Sequence, residues 1–154
     1  MTHVARDKTL FGLTQGDYYN WHKSFGLILL GLALARLIWR KATPLPDWAP
    51  TLSPAERAIS HRNETLLYWC MFLLPLSGYL FVMAGDFGIK LFGLYDLPNP
   101  IGKREGLATA ALVVHIVTAY AAIVFIAWHV GLGLKHHLFD RDRFLNRMLP
   151  FTRQ

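Results

Sequence analysis

Apolar residues along this chain gather into three long runs separated by polar segments marked by proline and glycine. Each run is near the ~20 residues that a helix needs to cross a bilayer. The first predicts a helix over 18–39 with the core FGLILLGLALARLIW, and the second a helix over 65–84 around LLYWCMFLLPLSGYLFVMA. The third, over 107–134, is the longest. Pro75 falls inside the second run, where a kink is expected rather than a stop, because membrane helices tolerate proline when neighbours satisfy the freed carbonyl. In the first link, KATPLPDWAPTLSPAERAISHR, the prolines make a loop and Ser53-Pro54-Ala55-Glu56 reads as a helix start. The second link, GDFGIKLFGLYDLPNPIGKREG, mixes Gly and Pro with Phe, Leu and Ile and is expected to lie across the membrane surface. Residues 1–17 form a short polar segment without the apolar stretch of a signal peptide. The pattern implies an all-α integral membrane bundle of three transmembrane helices, forming one membrane domain over 1–154 with a basic tail from 135 onward.

Composition agrees: 53% hydrophobic and 14% aromatic residues are rare in a soluble protein of 154 residues. The net charge of +6 is informative through its placement. Three crossings put the first link and the tail on one side, with ten Lys and Arg, and leave six on the other. The positive-inside rule therefore assigns the ten to the cytoplasm, with a cytoplasmic C-terminus. Trp21, Trp39, Tyr18 and Tyr19 mark the ends of the first helix as interfacial aromatics do. This accounts for the basic composition without nucleic acid, for which there is neither zinc-finger spacing nor a basic recognition helix. The single cysteine, Cys70, allows no intrachain disulfide and no C-x-x-C-H for covalent haem attachment.

Ionisable residues inside membrane helices are costly and usually functional. Of seven histidines, His115 and His129 lie within the third helix, 14 residues apart. An ideal helix separates them by ~21 Å along its axis and returns them to within ~40° of one face. One face thus presents imidazoles at two depths, which suits two separate haems and not one metal ion, whose ligands must converge. Packing through interhelical hydrogen bonds is the plain alternative for either histidine. Gly26, Gly31, Gly131 and Gly133 are available to make room for a porphyrin, or equally for close helix packing. His22, at the head of the first helix, and His115 lie at similar depth on the outer side and would share one iron, unless His22 is an interfacial anchor beside Trp21.

From Asn20 onward the chain resembles the bacterial cytochrome b561 family, which includes the b-type subunits of nickel hydrogenases. The matching text is NWHKSFGLILLGLALARLIWR, LLYWCMFLLPLSGYLFVMAG and LFGLYDLPNPIG. The most specific block is H-x13-H-x6-HH from His115 to His137, followed by RDRFLNRMLP. The resemblance implies b haems held between helices in the bacterial inner membrane, with electrons passing between quinone and another carrier. It implies His22 and His115 as axial ligands of an outer haem and His129 as one ligand of an inner haem. The family's other inner ligand sits on a helix preceding the WHKSFG segment, for which residues 1–17 are too short and polar; the expected explanations are a late or truncated start, a natural three-helix form with only the outer haem, or a substitute ligand, with His61 the candidate within the chain and a second subunit the other source. His61 also reads as a solvated interfacial residue beside Arg62, and His136 and His137 as polar tail residues.

One or two b haems per chain are therefore expected. Arg36 and Arg40 are candidates for inner-haem propionates and Lys23 for the outer surface, with anchoring to the interface as the equal alternative. Bis-histidine ligation leaves iron no open position, which favours electron transfer over oxygen activation. The chain would act as a quinone-linked oxidoreductase, or as a haem-bearing anchor for a dehydrogenase or hydrogenase, with lipid, quinone, and a redox partner subunit or homodimer as partners. A haem-free packing or transport subunit is the rival from another class.

Overall fold

A computed structural model describes residues 12, 14–44 and 53–138, with only the backbone over 136–138. Residues 1–11, 13, 45–52 and the tail from 139 lie outside the described residues, and with them most of the polar N-terminal segment. Three helices dominate: α1 (Gln15–Ala42), α2 (Pro54–Ala84) and α3 (Glu105–Leu138). A hairpin of β1 (Ile89–Leu91) and β2 (Tyr95–Leu97) joins α2 to α3.

Local chemistry starts the first two helices before the apolar runs begin. Thr14 caps α1, its hydroxyl accepting from the Asp17 backbone N–H while the Asp17 carboxylate accepts from Thr14. Ser53 and Glu56 build the same reciprocal box ahead of α2, with Pro54 in the first turn where its missing N–H costs nothing. The helix start seen in the first link is therefore not a separate element: α2 runs 31 residues from it, unbroken through Pro75.

The cap of α1 is sensitive to acid. Hydrogen bonds from the Thr14 hydroxyl and then its backbone N–H hold the Asp17 carboxyl below its ordinary value. A carboxylate depressed in the folded state stabilises above its unfolded pKa and loses that contribution as pH falls through the folded one. Amide exchange in the first turn of α1 should be slower in the native protein than in Asp17→Asn at neutral pH, and the gap should close in acid. A pH-independent gap would refute this role.

Burial is arranged as lipid solvation requires. Leu29, Leu32, Ile38, Val117, Ile123 and Val124 are exposed, whereas buried helix positions carry small side chains such as Ala33, Cys70, Ser77, Ala111, Thr118 and Ala122. Small residues let helix backbones approach closely where lipid and leucine are equally apolar. α2 and α3 are long and apolar enough to cross a membrane, whereas the apolar stretch of α1 is shorter, bounded by Lys23 and Arg36. α2 packs along α3, and α1 leans on α2 and β1.

A cluster of buried hydrophobic residues lies at one end, where Val82, Met83 and Ile89 meet Leu27, Tyr79 and Leu91. The hairpin seated there holds the two strands found among the described residues. Its turn holds Phe92 at φ 47° and Gly93 at φ 75°, and a left-handed phenylalanine needs compensation. It receives it from α1: the Phe92 N–H donates to Ser24 Oγ at 2.8 Å, and its ring stands edge-on to Trp21 and Phe25. Asn99 closes the rest of the link, donating to the Met83 carbonyl and accepting from the Ile101 and Gly102 N–H groups.

Candidate functional site

Beneath the hairpin the three helices enclose a cavity of about 580 Å³, within the ~300–1,000 Å³ typical of ligand and cofactor sites. α1 contributes Tyr19, His22, Lys23, Gly26 and Leu27, one stripe at helical spacing; α2 contributes Pro75, Gly78, Tyr79 and Val82, another. Leu112 and His115 come from α3, and Phe87 and Ile89 from the link and hairpin. The lining is apolar apart from a few polar groups, and Lys23 Nζ donates to the Gly88 carbonyl at 2.9 Å, tying α1 to the hairpin at the rim.

His22 and His115 meet here, their ring centroids 6.0 Å apart and their planes at 87°. With metal–nitrogen bonds of about 2 Å, this ring separation leaves room for a metal atom that one nitrogen of each imidazole would hold. Among the described residues no group of three or more His, Cys, Asp or Glu could hold a metal ion. A bare ion would thus be under-coordinated by this pair, whereas a porphyrin brings four nitrogens of its own.

The His115 ring is fixed from α2. Its Nδ1 lies 2.9 Å from the Leu74 carbonyl and 3.3 Å from Ser77 Oγ. A carbonyl only accepts, so Nδ1 carries the proton and Nε2 keeps its lone pair, as an iron ligand must. Gly78 is what lets the ring lie so close: a Cβ there would stand 3.0 Å from Cε1 and 3.1 Å from Nδ1 of His115. Gly26, also lining the cavity, has nothing within 4 Å of a built Cβ. Donor chemistry, spacing and glycine-made room together fit a haem.

The comparisons agree. The family model described as prokaryotic cytochrome b561 matches residues 1–151. The chain belongs to the prokaryotic cytochrome b561 family. This cytochrome is 34% identical to cytochrome b561 homolog 2 of Escherichia coli K12, over 91% of its own length and 78% of that protein's. It is 26% identical to the probable superoxide oxidase CybB of Yersinia pestis, over 94% and 84% of the two chains. It is accordingly a membrane-integral b-type cytochrome and its cofactor is b haem.

The other sequence candidates lie toward the opposite end. Lys135 of α3 pairs with Glu56 of α2 at 2.8 Å, which sets these antiparallel helices in register. His61, five residues beyond Glu56, and His129, six before Lys135, therefore lie at similar depth, roughly 8–9 Å from that pair along each axis. Both are exposed. The Arg36 and Arg40 guanidinium carbons lie 5.9 and 5.2 Å from the Tyr68 ring centroid, and Arg40 also pairs with Glu64. At this end two buried polar atoms, Asn63 Nδ2 and Tyr68 Oη, have no hydrogen-bond partner among the described residues. The side chains of His136 and His137 lie outside the described residues.

Sequence alone does not distinguish Ser77, Gly78 or the Leu74 carbonyl: a glycine in the middle of an apolar helix is the available signal, and Gly78 carries it no more strongly than Gly26, Gly31, Gly131 or Gly133.

Proposed function

We propose that this cytochrome relays electrons between membrane quinone and a second carrier, in the bacterial inner membrane with its C-terminus in the cytoplasm. α1, α2 and α3 each cross the bilayer. His22 and His115 hold one b haem toward the outer face, and the His22–His115 pair across an apolar cavity is the observation that carries the reading. Bound there, the haem supplies one-electron chemistry. The chain orients the two imidazoles, keeps Nε2 of His115 unprotonated, and excludes water with Leu27, Tyr79 and Val82. Lys23 at the cavity rim would meet a propionate.

His129 is the inner ligand, with His61 at matching depth as its partner and Arg36 and Arg40 at the same end for propionates. Two haems at the depths of His115 and His129 would carry an electron most of the way across the membrane. Superoxide, which the Yersinia relative is named for oxidising, is a candidate electron donor at the outer face.

The test is spectroscopic and kinetic. Protein purified in detergent should show a Soret band that shifts with dithionite, and haem is counted per chain. Two haems, with one lost in His61→Ala, support the pair at the inner site. One haem retained in His129→Ala assigns a single outer site. Absence of a redox-sensitive Soret band would sink the haem reading. If neither a short-chain quinol nor an oxidised quinone exchanges electrons with the loaded protein, the quinone link fails and the anchor-subunit reading replaces it. Superoxide generated in situ tests the other donor.

A further inference from the structure

The polar groups that meet His115 come from one turn of α2, and their protons can be assigned. Ser77 Oγ lies 2.5 Å from the Leu73 carbonyl and 3.0 Å from the Leu74 carbonyl. It has one proton to donate, and both neighbours accept only, so that proton is committed to the backbone. Its lone pairs remain, and the nearest donor is His115 Nδ1–H at 3.3 Å. The same Nδ1–H points at the Leu74 carbonyl at 2.9 Å. Ser77 is buried, 5% exposed, so its hydroxyl acts without competition from bulk water.

Back-bonding of serine to carbonyls three and four residues earlier is common in helices and needs no ligand. What sets Ser77 apart is the second acceptor role, directed across the helix interface at the ring that carries the iron ligand. An acceptor on Nδ1–H pulls the proton toward itself, raises electron density at Nε2 and strengthens its donation to metal. Stronger donation favours ferric over ferrous iron.

We propose that Ser77 is a positioning residue for His115, whose hydroxyl shares the Nδ1 proton with the Leu74 carbonyl, fixes the ring's tautomer and lowers the reduction potential of the outer haem. The proposal rests on the His22–His115 haem reading.

The experiment compares wild type with Ser77→Ala, Ser77→Thr and Ser77→Val, each purified with its haem, by redox titration and by low-temperature electron paramagnetic resonance of the ferric state. Removal of the acceptor in Ser77→Ala should raise the outer-haem potential. The expected change in relative affinity for the two oxidation states is about threefold, about 30 mV for one electron. The ferric g-values should shift with it. Thr and Val have nearly the same shape, so a potential near wild type in Ser77→Thr and a raised one in Ser77→Val isolates the hydroxyl from packing. An unchanged potential and spectrum in Ser77→Ala, or equal behaviour of the Thr and Val variants, overturns the proposal. A wild-type protein that binds no haem is the separate failure of the underlying reading.

Discussion

Replacing His115 by alanine should remove the outer haem. His115 reaches the site from α3, its Nδ1 held by the Leu74 carbonyl, and its ring centroid lies 6.0 Å from that of His22. Losing a group that merely supports a metal ligand costs about 10–100-fold in affinity, so loss of the ligand itself should exceed that. Haem content should fall by one per chain, with the helical circular dichroism intact because Ala108, Ala111, Thr118 and Ala122, buried along α3, are untouched by the substitution. His22→Ala should lose the same haem. Imidazole added to His115→Gly should restore part of the absorbance, since the vacated space has the shape of the missing ring. Unchanged haem content in both alanine variants would remove His22 and His115 from the site.

Substitution of Gly78 should be nearly as damaging without replacing a ligand. The Cβ of an alanine would sit 3.0 Å from His115 Cε1 and 3.1 Å from Nδ1. The ring cannot retreat freely, because backing away breaks the bond to Leu74. Overpacking of this kind costs about 1–3 kcal/mol, which converts to roughly five- to 150-fold in affinity. Gly78→Ala should therefore bind the outer haem weakly and with altered ferric g-values, and Gly78→Val should lose it. Gly106→Ala is the control, since a Cβ there meets nothing within 4 Å. Normal haem affinity in Gly78→Val would show that the helices adjust and that the close approach is unimportant.

His115 stands out as a candidate because a histidine inside an apolar run is expensive, whereas His22, at the head of its helix, is singled out chiefly by the resemblance to the cytochrome b561 family. Gly78 does not stand out, because a glycine in an apolar helix looks the same whether it faces lipid, a neighbouring alanine or an imidazole ring. Ser77 was hidden for a similar reason: its hydroxyl is satisfied within its own helix by Leu73, and its second role exists only once α3 arrives. The composition of the aromatic-rich link between α2 and α3 predicts only a segment across the membrane surface. Its short strands pair in a register that needs Phe92 left-handed, a conformation that Ser24 and Trp21, some 70 residues earlier, make tolerable.

Sequence periodicity and composition were enough to indicate the membrane class and the three helices, because hydrophobic length and residue rise are local quantities. The capping boxes Thr14–Asp17 and Ser53–Glu56 likewise lie within four residues. Tertiary structure alone decided that His22 faces His115 across a cavity, that Leu74 and Ser77 select the tautomer of His115, and that Arg40 meets Glu64 and Tyr68. Those outcomes depend on the rotation and offset of one helix against another, and a one-residue change in either turns a side chain by about 100° while leaving every local pattern as it was.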